Sequence, residues 1–460
     1  MSFDHSGQRA ASLICVVVFF LYATIAGAAD AQQDVTTEAT DNPPAANPEA
    51  TDGANTETGE QLQDVPSEAE QRELGAAEDP MATDQVRQDI EREVEPSETE
   101  QRRSGFDIYG SLRIRYRKQE NLNEWQDGGS RIGTHIEWRV LPKSFLYVRY
   151  EAGFNLLTGL EGLANPGDKA GDQFTDTVFT RLFYTGLDTP VVNYVLGKNW
   201  STYYKVSFFT DRFMGTGGSA SGTYNAQTDG GPTGTGRADN TLQTHFSIDF
   251  LPERWFKPFA LNAQVQRGNP IPFGNGADYG TAYGLSAVLA TQSNYTLGLA
   301  HNYAQIDLAD DPSLQRIGLT GSARATLLGI RGFGDRWYAG LIASRLQNHE
   351  TTDEGIYFKG WGSELYLQYR VAGPIWFVGG YNALEPDAND VLAREYRVRY
   401  AIAGLRYSFD DFRRMIFANV RIDDSLNADG TPGSDVFTIG IRWDMSKRGW
   451  HRPDSKELTN

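Results

Sequence analysis

From Phe106 onward the chain alternates apolar and polar residues with a period of two. Successive side chains of a strand point to opposite sides. In FDIYGSLRIRYRK this puts Phe106, Ile108, Gly110, Leu112, Ile114 and Tyr116 on one face and Asp107, Tyr109, Ser111, Arg113, Arg115 and Arg117 on the other. The pattern returns over 130–141, where Ile132, Ile136, Trp138 and Val140 oppose Arg131, His135, Glu137 and Arg139. It returns again over 435–445, where Phe437, Ile439, Ile441, Trp443 and Met445 oppose Thr438, Arg442 and Asp444. Sixteen such strands are predicted, starting near Phe106, Ser130, Ser144, Thr177, Val191, Arg237, Phe256, Tyr279, Asn294, Gln315, Arg336, Ile356, Ile375, Arg394, Phe412 and Asp435. Each strand with its connection then takes about 22 residues, enough for a tilted membrane strand of roughly 9–11 residues and a turn or loop.

The connections alternate in length. Pro142-Lys143, 188–190, Gln292-Ser293 and Asp410-Asp411 are tight turns, whereas 119–129, 156–176, 199–236, 267–278 and 424–434 are longer and rich in Gly, Asn and Asp. The fold class that follows is all-β: a 16-stranded antiparallel transmembrane β-barrel with long loops at one end, and short turns and both chain ends at the other. A soluble sheet rarely needs sixteen strands, and a closed barrel leaves no strand edge unpaired in lipid. Trp138, Tyr150, Trp337 and Trp443 lie near strand ends, where interfacial aromatic girdles form. A barrel of this size encloses water rather than a packed core. The strand-borne Arg113, Arg115, Arg117, Arg131, Arg139, Arg181, Lys198 and Arg237 are expected to face inward, because arginine on the lipid side costs roughly 2–4 kcal/mol near the midplane.

Charge divides the chain. Of 460 residues, 60 are acidic and 42 are Lys or Arg, but 22 of the acids and only six arginines fall in residues 1–105. The remainder is nearly neutral. Residues 1–28 read as a signal peptide: Arg9, an apolar run from Ala11 to Ile25, then Ala26-Gly27-Ala28 as the cleavage site. Residues 29–105 form an acidic segment too poor in apolar residues to fold on its own, expected to be mostly disordered and periplasmic. Within it Val86, Ile90 and Val94 share one face of a short predicted helix. The barrel domain takes 106–446, and 447–460 is a polar extension.

The composition excludes several classes. Apart from the N-terminal run, no apolar stretch is long enough for a membrane helix. The one cysteine, Cys15, falls in the signal peptide, so neither a disulfide framework nor a Cys-ligated metal site is expected. His135, His245, His301, His349 and His451 are isolated from one another, with no metal or catalytic spacing, so the chain reads as a non-enzyme without cofactor or metal. There is no basic, aromatic-interleaved stripe for nucleic acid. A barrel hydrolase is the less favoured alternative.

One family resemblance is carried by particular residues. The run Thr180-Arg181-Leu182-Phe183-Tyr184-Thr185-Gly186-Leu187, then Gly197-Lys198-Asn199, a long Gly-rich loop and Arg237-Ala238-Asp239-Asn240 resembles the general diffusion porins of the Gram-negative outer membrane. So do Phe106-Asp107-Ile108-Tyr109-Gly110 and Ser130-Arg131-Ile132-Gly133. The resemblance implies a homotrimer in outer-membrane lipid, placed there by barrel-assembly machinery, through which ions and small hydrophilic solutes diffuse passively. It implies that the third long loop, here 199–236, folds into the lumen. It further implies a constriction with Arg131, Arg181, Lys198 and Arg237 as a basic wall and Asp211 as the facing acid on the loop. Two departures stand out. A second loop acid is missing from Phe213-Met214-Gly215-Thr216, and Arg212 sits beside Asp211, so basic charge is expected to dominate unless Glu137, Glu151 or Asp107 pairs with these arginines. The chain also lacks the family's terminal aromatic residue, which bears on assembly. Tyr109, Phe145, Tyr147, Tyr203 and Tyr204 suggest an alternative, a sliding surface in a channel specific for a sugar or an organic acid.

Overall fold

The computed structural model describes residues 104–120, 122–157, 178–309, 311–392, 395–409 and 412–451. The signal peptide over 1–28, the acidic segment up to 103 with its helix at Val86, Ile90 and Val94, most of the 156–176 loop, the Asp410-Asp411 turn and residues 452–460 lie outside them. The first strands are β1 (Gly105–Gln119), β2 (Leu122–Asp127), β3 (Arg131–Leu141), β4 (Ser144–Phe154), β5 (Val178–Asp188) and β6 (Val192–Trp200). A single helical turn, α1 (Tyr204–Ser207), opens the long connection to β7 (Arg237–Ile248). Then follow β8 (Phe259–Arg267), β9 (Thr281–Ala290), β10 (Tyr295–Ala304), β11 (Ala323–Gly334) and β12 (Trp337–Thr351). The chain ends through β13 (Tyr357–Ala372), β14 (Ile375–Pro386), β15 (Val398–Ser408), β16 (Arg414–Asp423) and β17 (Val436–His451).

Every strand pairs antiparallel with its neighbours, and β1 pairs with β17, which closes the sheet into a barrel of sixteen staves. The seventeen segments make sixteen staves because β2 and β3 are two parts of one. β1 pairs with both, Ser111 opposite Arg131 and Ile114 opposite Asp127, so the partner stave carries one extra residue between them. That is a β-bulge. It is held by the Asp127 Oδ1, which accepts the Gly129 and Ser130 N–H groups at 2.7 Å each.

The predicted strand starts at Ser144, Arg237 and Ile375 coincide with the observed ones, and most others fall within three residues. The start near Gln315 is wrong: residues Pro312–Ile317 form a 3-10 turn capped by the Asp311 side chain, and β11 begins at Ala323. Leu314 and Leu319 are buried among Ile271, Tyr279 and Tyr357 where long loops pack together. At the chain end β17 runs on to His451, paired with Gly105, so the first five residues of the polar extension belong to the wall.

Alternation along the staves sorts side chains as expected. Phe106, Ile108, Ile132, Phe183, Leu285, Leu341, Ile441 and Trp443 are exposed on the outside, while Tyr109, Arg113, Arg131, Arg181 and Glu364 are buried inside. Trp138, Tyr150, Trp337 and Trp443 are all exposed. An apolar outer band of this extent suits hydrocarbon rather than water. The main packed cluster lies inside the barrel. Tyr203, Tyr204, Val206, Phe208 and Phe209 of the inserted loop, residues 201–236, pack there with Leu327, Ile342 and Leu346 of the wall.

Candidate functional site

The loop 201–236 leaves β6 and crosses the lumen along one side of the wall. Its backbone is held by wall side chains from β8, β10, β12, β13, β15 and β16. Gln264 Nε2 donates to the Gly234 carbonyl at 2.6 Å, Asn302 Nδ2 to Thr233 at 2.7 Å, and Tyr338 Oη to Phe209 at 2.8 Å. Ser344 Oγ donates to the Ala220 carbonyl at 2.8 Å, Arg406 to Arg212 at 2.6 Å and Asn419 Nδ2 to Met214 at 2.7 Å. Glu364 on β13 accepts three bonds, from the Ala220 and Ser221 N–H groups at 2.8 Å each and from Thr210 Oγ1 at 2.6 Å. A buried loop needs every polar backbone group answered, and these side chains answer many of them.

Close approach requires two glycines. A Cβ on Gly340 would collide with the Phe209 carbonyl oxygen, and one on Gly362 with that of Ala220. The tip then reaches the far side: a Cβ built on Gly215 would stand 3.0 Å from the Arg115 guanidinium.

The opposite wall, β1 to β5 with β17, carries arginines. Arg113 stands directly across from Arg442, and Ser111 from Arg131. Like charges in direct opposition repel, and wall carboxylates offset them. Asp444 pairs with Arg442 and accepts the Ser111 hydroxyl at 2.5 Å, while Ser111 accepts from Arg113 Nε at 2.8 Å. Glu151 accepts Arg181 Nε at 2.9 Å and the Tyr109 hydroxyl at 2.9 Å. Arg115 Nε donates to Gln126 at 3.1 Å, and Arg117 to Gln119 at 2.6 Å. Arg139 lies near the short-turn end, eight residues along β3 from Arg131, roughly 26 Å away, with its guanidinium 5.3 Å from the Phe145 ring.

The four residues expected to form one basic wall therefore divide. Arg131 and Arg181 belong to this arginine wall, 1% and 3% exposed. Lys198 and Arg237 sit at the root of the inserted loop, where Asp229 and Asp239 bind them. Lys198 Nζ is 2.5 Å from Asp239 and 3.2 Å from Asp229, and Arg237 Nε is 3.1 Å from Asp229. Desolvation alone would raise the Asp229 carboxyl, but the charges of Arg237 and Lys198, with hydrogen bonds from Arg237 and the Gly231 N–H, hold it at about 2.

Asp211 is buried in the loop, its Oδ2 accepting the hydroxyls of Tyr204 at 2.8 Å and Tyr224 at 2.9 Å. Burial first, and the Asp211 charge second, hold the Tyr224 phenol well above its usual range, so it stays a donor. Arg212 points toward the short-turn end, 4.2 Å from the Tyr338 ring. Of the aromatics suggested as a sliding surface, Tyr203 and Tyr204 are wholly buried in the loop and Phe145 in the wall. Tyr109 and Tyr147 are 5% and 7% exposed, and both are tied by their hydroxyls, Tyr147 to Asn193. Sequence reasoning missed Glu364, Asp229 and Arg442 as site residues. Glu364 lies on the polar face of its strand, but which loop atoms it meets depends on a contact more than 140 residues away.

The described histidines do not form a catalytic pair. His135 is 3.9 Å from Glu137, His245 bonds Asn262, His301 bonds Thr326, and His349 bonds the Gly222 carbonyl. Among the described residues no group of three or more His, Cys, Asp or Glu side chains is placed to hold a metal ion.

Comparison with solved structures returns porins. OmpF of Salmonella typhi, solved with daunomycin, matches at a TM-score of 0.59 and 17% identity over 74% of this chain and 98% of its own. The anion-selective porin of Comamonas acidovorans matches at 0.53 and 14% identity, over 74% and 100%. OmpT of Vibrio cholerae, an outer membrane protein solved in its trimer form, matches at 0.51 and 14% identity, over 75% and 100%. No protein-family model and no curated protein matches the chain. The closed sixteen-stave barrel is thus a porin-type fold.

Proposed function

We propose that the protein is an outer-membrane porin: a water-filled channel for passive diffusion of ions and small hydrophilic solutes, with a preference for anions. The observation that carries this reading is the loop 201–236, fixed across the lumen opposite a wall that bears Arg113, Arg115, Arg131 and Arg181. A loop narrowing an aqueous barrel sets a size limit, and a wall of one sign favours counter-ions. The constriction is formed by Arg131 and Arg181 with the loop, while Lys198, Arg237 and Asp229 fasten the root of that loop. The likeness to a porin described as anion-selective agrees with this preference, and the likeness to a trimer supports three channels per assembly. Residues 1–28 direct export and are removed, leaving the acidic segment in the periplasm and the barrel in outer-membrane lipid.

The test is single-channel recording of the full-length protein in a planar bilayer under a salt gradient. Conductance in three equal steps with a reversal potential favouring anions is expected. A cation-favouring potential would overturn the charge reading, and an electrically silent barrel would overturn the channel itself.

A further inference from the structure

A second concentration of positive charge lies below the inserted loop, at the short-turn mouth. A cavity of about 240 Å³ there is lined by Arg212 from the loop and by Arg331, Arg370, Arg406 and Arg442 from four strands, against one lining carboxylate, Asp335. Several arginines of this protein meet carboxylates closely, as Arg181 meets Glu151, Arg345 meets Asp387, Arg399 meets Glu385 and, at the edge of this cavity, Arg442 meets Asp444. Here the described partners are mostly rings. Trp376 on β14 stands directly opposite Arg370 on β13 and Arg406 on β15, so the wall presents an Arg–Trp–Arg row. Arg370 lies 4.5 Å from the Trp376 ring and Arg212 lies 4.2 Å from that of Tyr338. Neither Arg370 nor Arg406 has a carboxylate partner among the described residues. Arg406 donates to the Arg212 carbonyl and to Gln368 instead.

Stacking a guanidinium on a ring fixes its plane and leaves its N–H edge directed outward, which suits carboxylate recognition. The same cavity has apolar walls in Phe333, Phe412, Met214 and Met415. We infer that this mouth binds a small organic anion that joins a planar apolar ring to a carboxylate, the ring against Trp376 and Phe412 and the carboxylate toward Arg370 and Arg406. This site is separate from the constriction and goes beyond diffusion, because occupancy needs no conductance.

Benzoate tests it, with benzamide and acetate each lacking one half of the recognised chemistry. Isothermal titration of the full-length protein in detergent should show saturable benzoate binding at least about tenfold tighter than either control, since benzamide loses the charge-assisted contacts and acetate loses the ring burial, each worth about that much. Arg370→Gln should weaken it about tenfold, and Trp376→Leu should weaken benzoate while leaving acetate unchanged. Arg370→Lys, which keeps the charge but not the plane, should restore only part. Circular dichroism and resistance to heat in detergent show whether each variant is folded. Benzoate binding no tighter than benzamide or acetate, or folded variants that bind like the parent, would overturn the inference. Binding by a barrel that conducts nothing would sink the channel proposal and leave this one standing.

Discussion

The two sides of the lumen solve opposite problems. The side that receives the inserted loop, β8 to β16, offers glycine, hydroxyl and amide groups and the Glu364 carboxylate, and these turn the loop's backbone into part of a packed interior. The opposite side, β1 to β5 with β17, offers arginines interleaved with Glu151 and Asp444. One side is specified by shape and the other by charge. On the proposed porin reading, the bore and its ionic preference are set by separate residues, so each should change without the other.

Gly362→Val should have the largest effect. Its side chain would occupy the place of the Ala220 carbonyl, and overpacking of this kind costs about 1–3 kcal/mol or displaces the loop outright. Rapid protease cleavage within 201–236, together with raised conductance and unchanged ion preference, is the expected result; a loop still protected would contradict the packing described. Glu364→Ala attacks the same side more gently, stranding three donors at about 1–3 kcal/mol in total after water enters. Its loop should be cut at an intermediate rate.

The opposite side is broken by Arg181→Gln, which leaves Glu151 with the Tyr109 hydroxyl and a more distant Arg149 at 3.9 Å. The reversal potential should move toward cations while conductance changes little; an unmoved potential would take Arg181 out of the selectivity account. The smallest effect is expected from acid. Because the folded protein holds the Asp229 carboxyl at about 2, below the usual value near 3.9, ionised Asp229 favours the folded loop. That contribution is complete above about pH 4 and is lost only as pH falls through about 2. Loop protection should therefore be the same at pH 7 and pH 4, whereas Asp229→Asn at neutral pH should loosen the loop by about 1 kcal/mol. A loss of protection between pH 7 and pH 4 would show that some other group fastens the root.

The barrel was legible because the period of two is a local signal, and its phase at Ile132 or Phe437 already separates outside from inside. It misled at Gln315, where Leu314 and Leu319 answer to neighbouring loops rather than to a sheet. The reading of 119–129 as a loop is wrong over Leu122–Asp127, which pairs with β1 as the other part of the stave that begins near Ser130, across a one-residue bulge. Arg131 and Arg181 could be placed on the lumen face, but the separation of Lys198 and Arg237 from them depends on Asp229, thirty-one residues beyond Lys198. The arginines of the short-turn mouth come singly from separate strands, and only closure of the cylinder makes them neighbours.

That closure has a kinetic side. The Ser111–Asp444 bond joins residues 333 positions apart, and Arg113 faces Arg442 across the same seam. Nearly the whole domain must be synthesised and ordered before the first strand meets its last partner, a topology that slows folding. Closure sets Arg113 against Arg442, with Asp444, two residues along the same strand, already beside Arg442 to offset the repulsion. The seam is thus a latch that carries its own counter-charge.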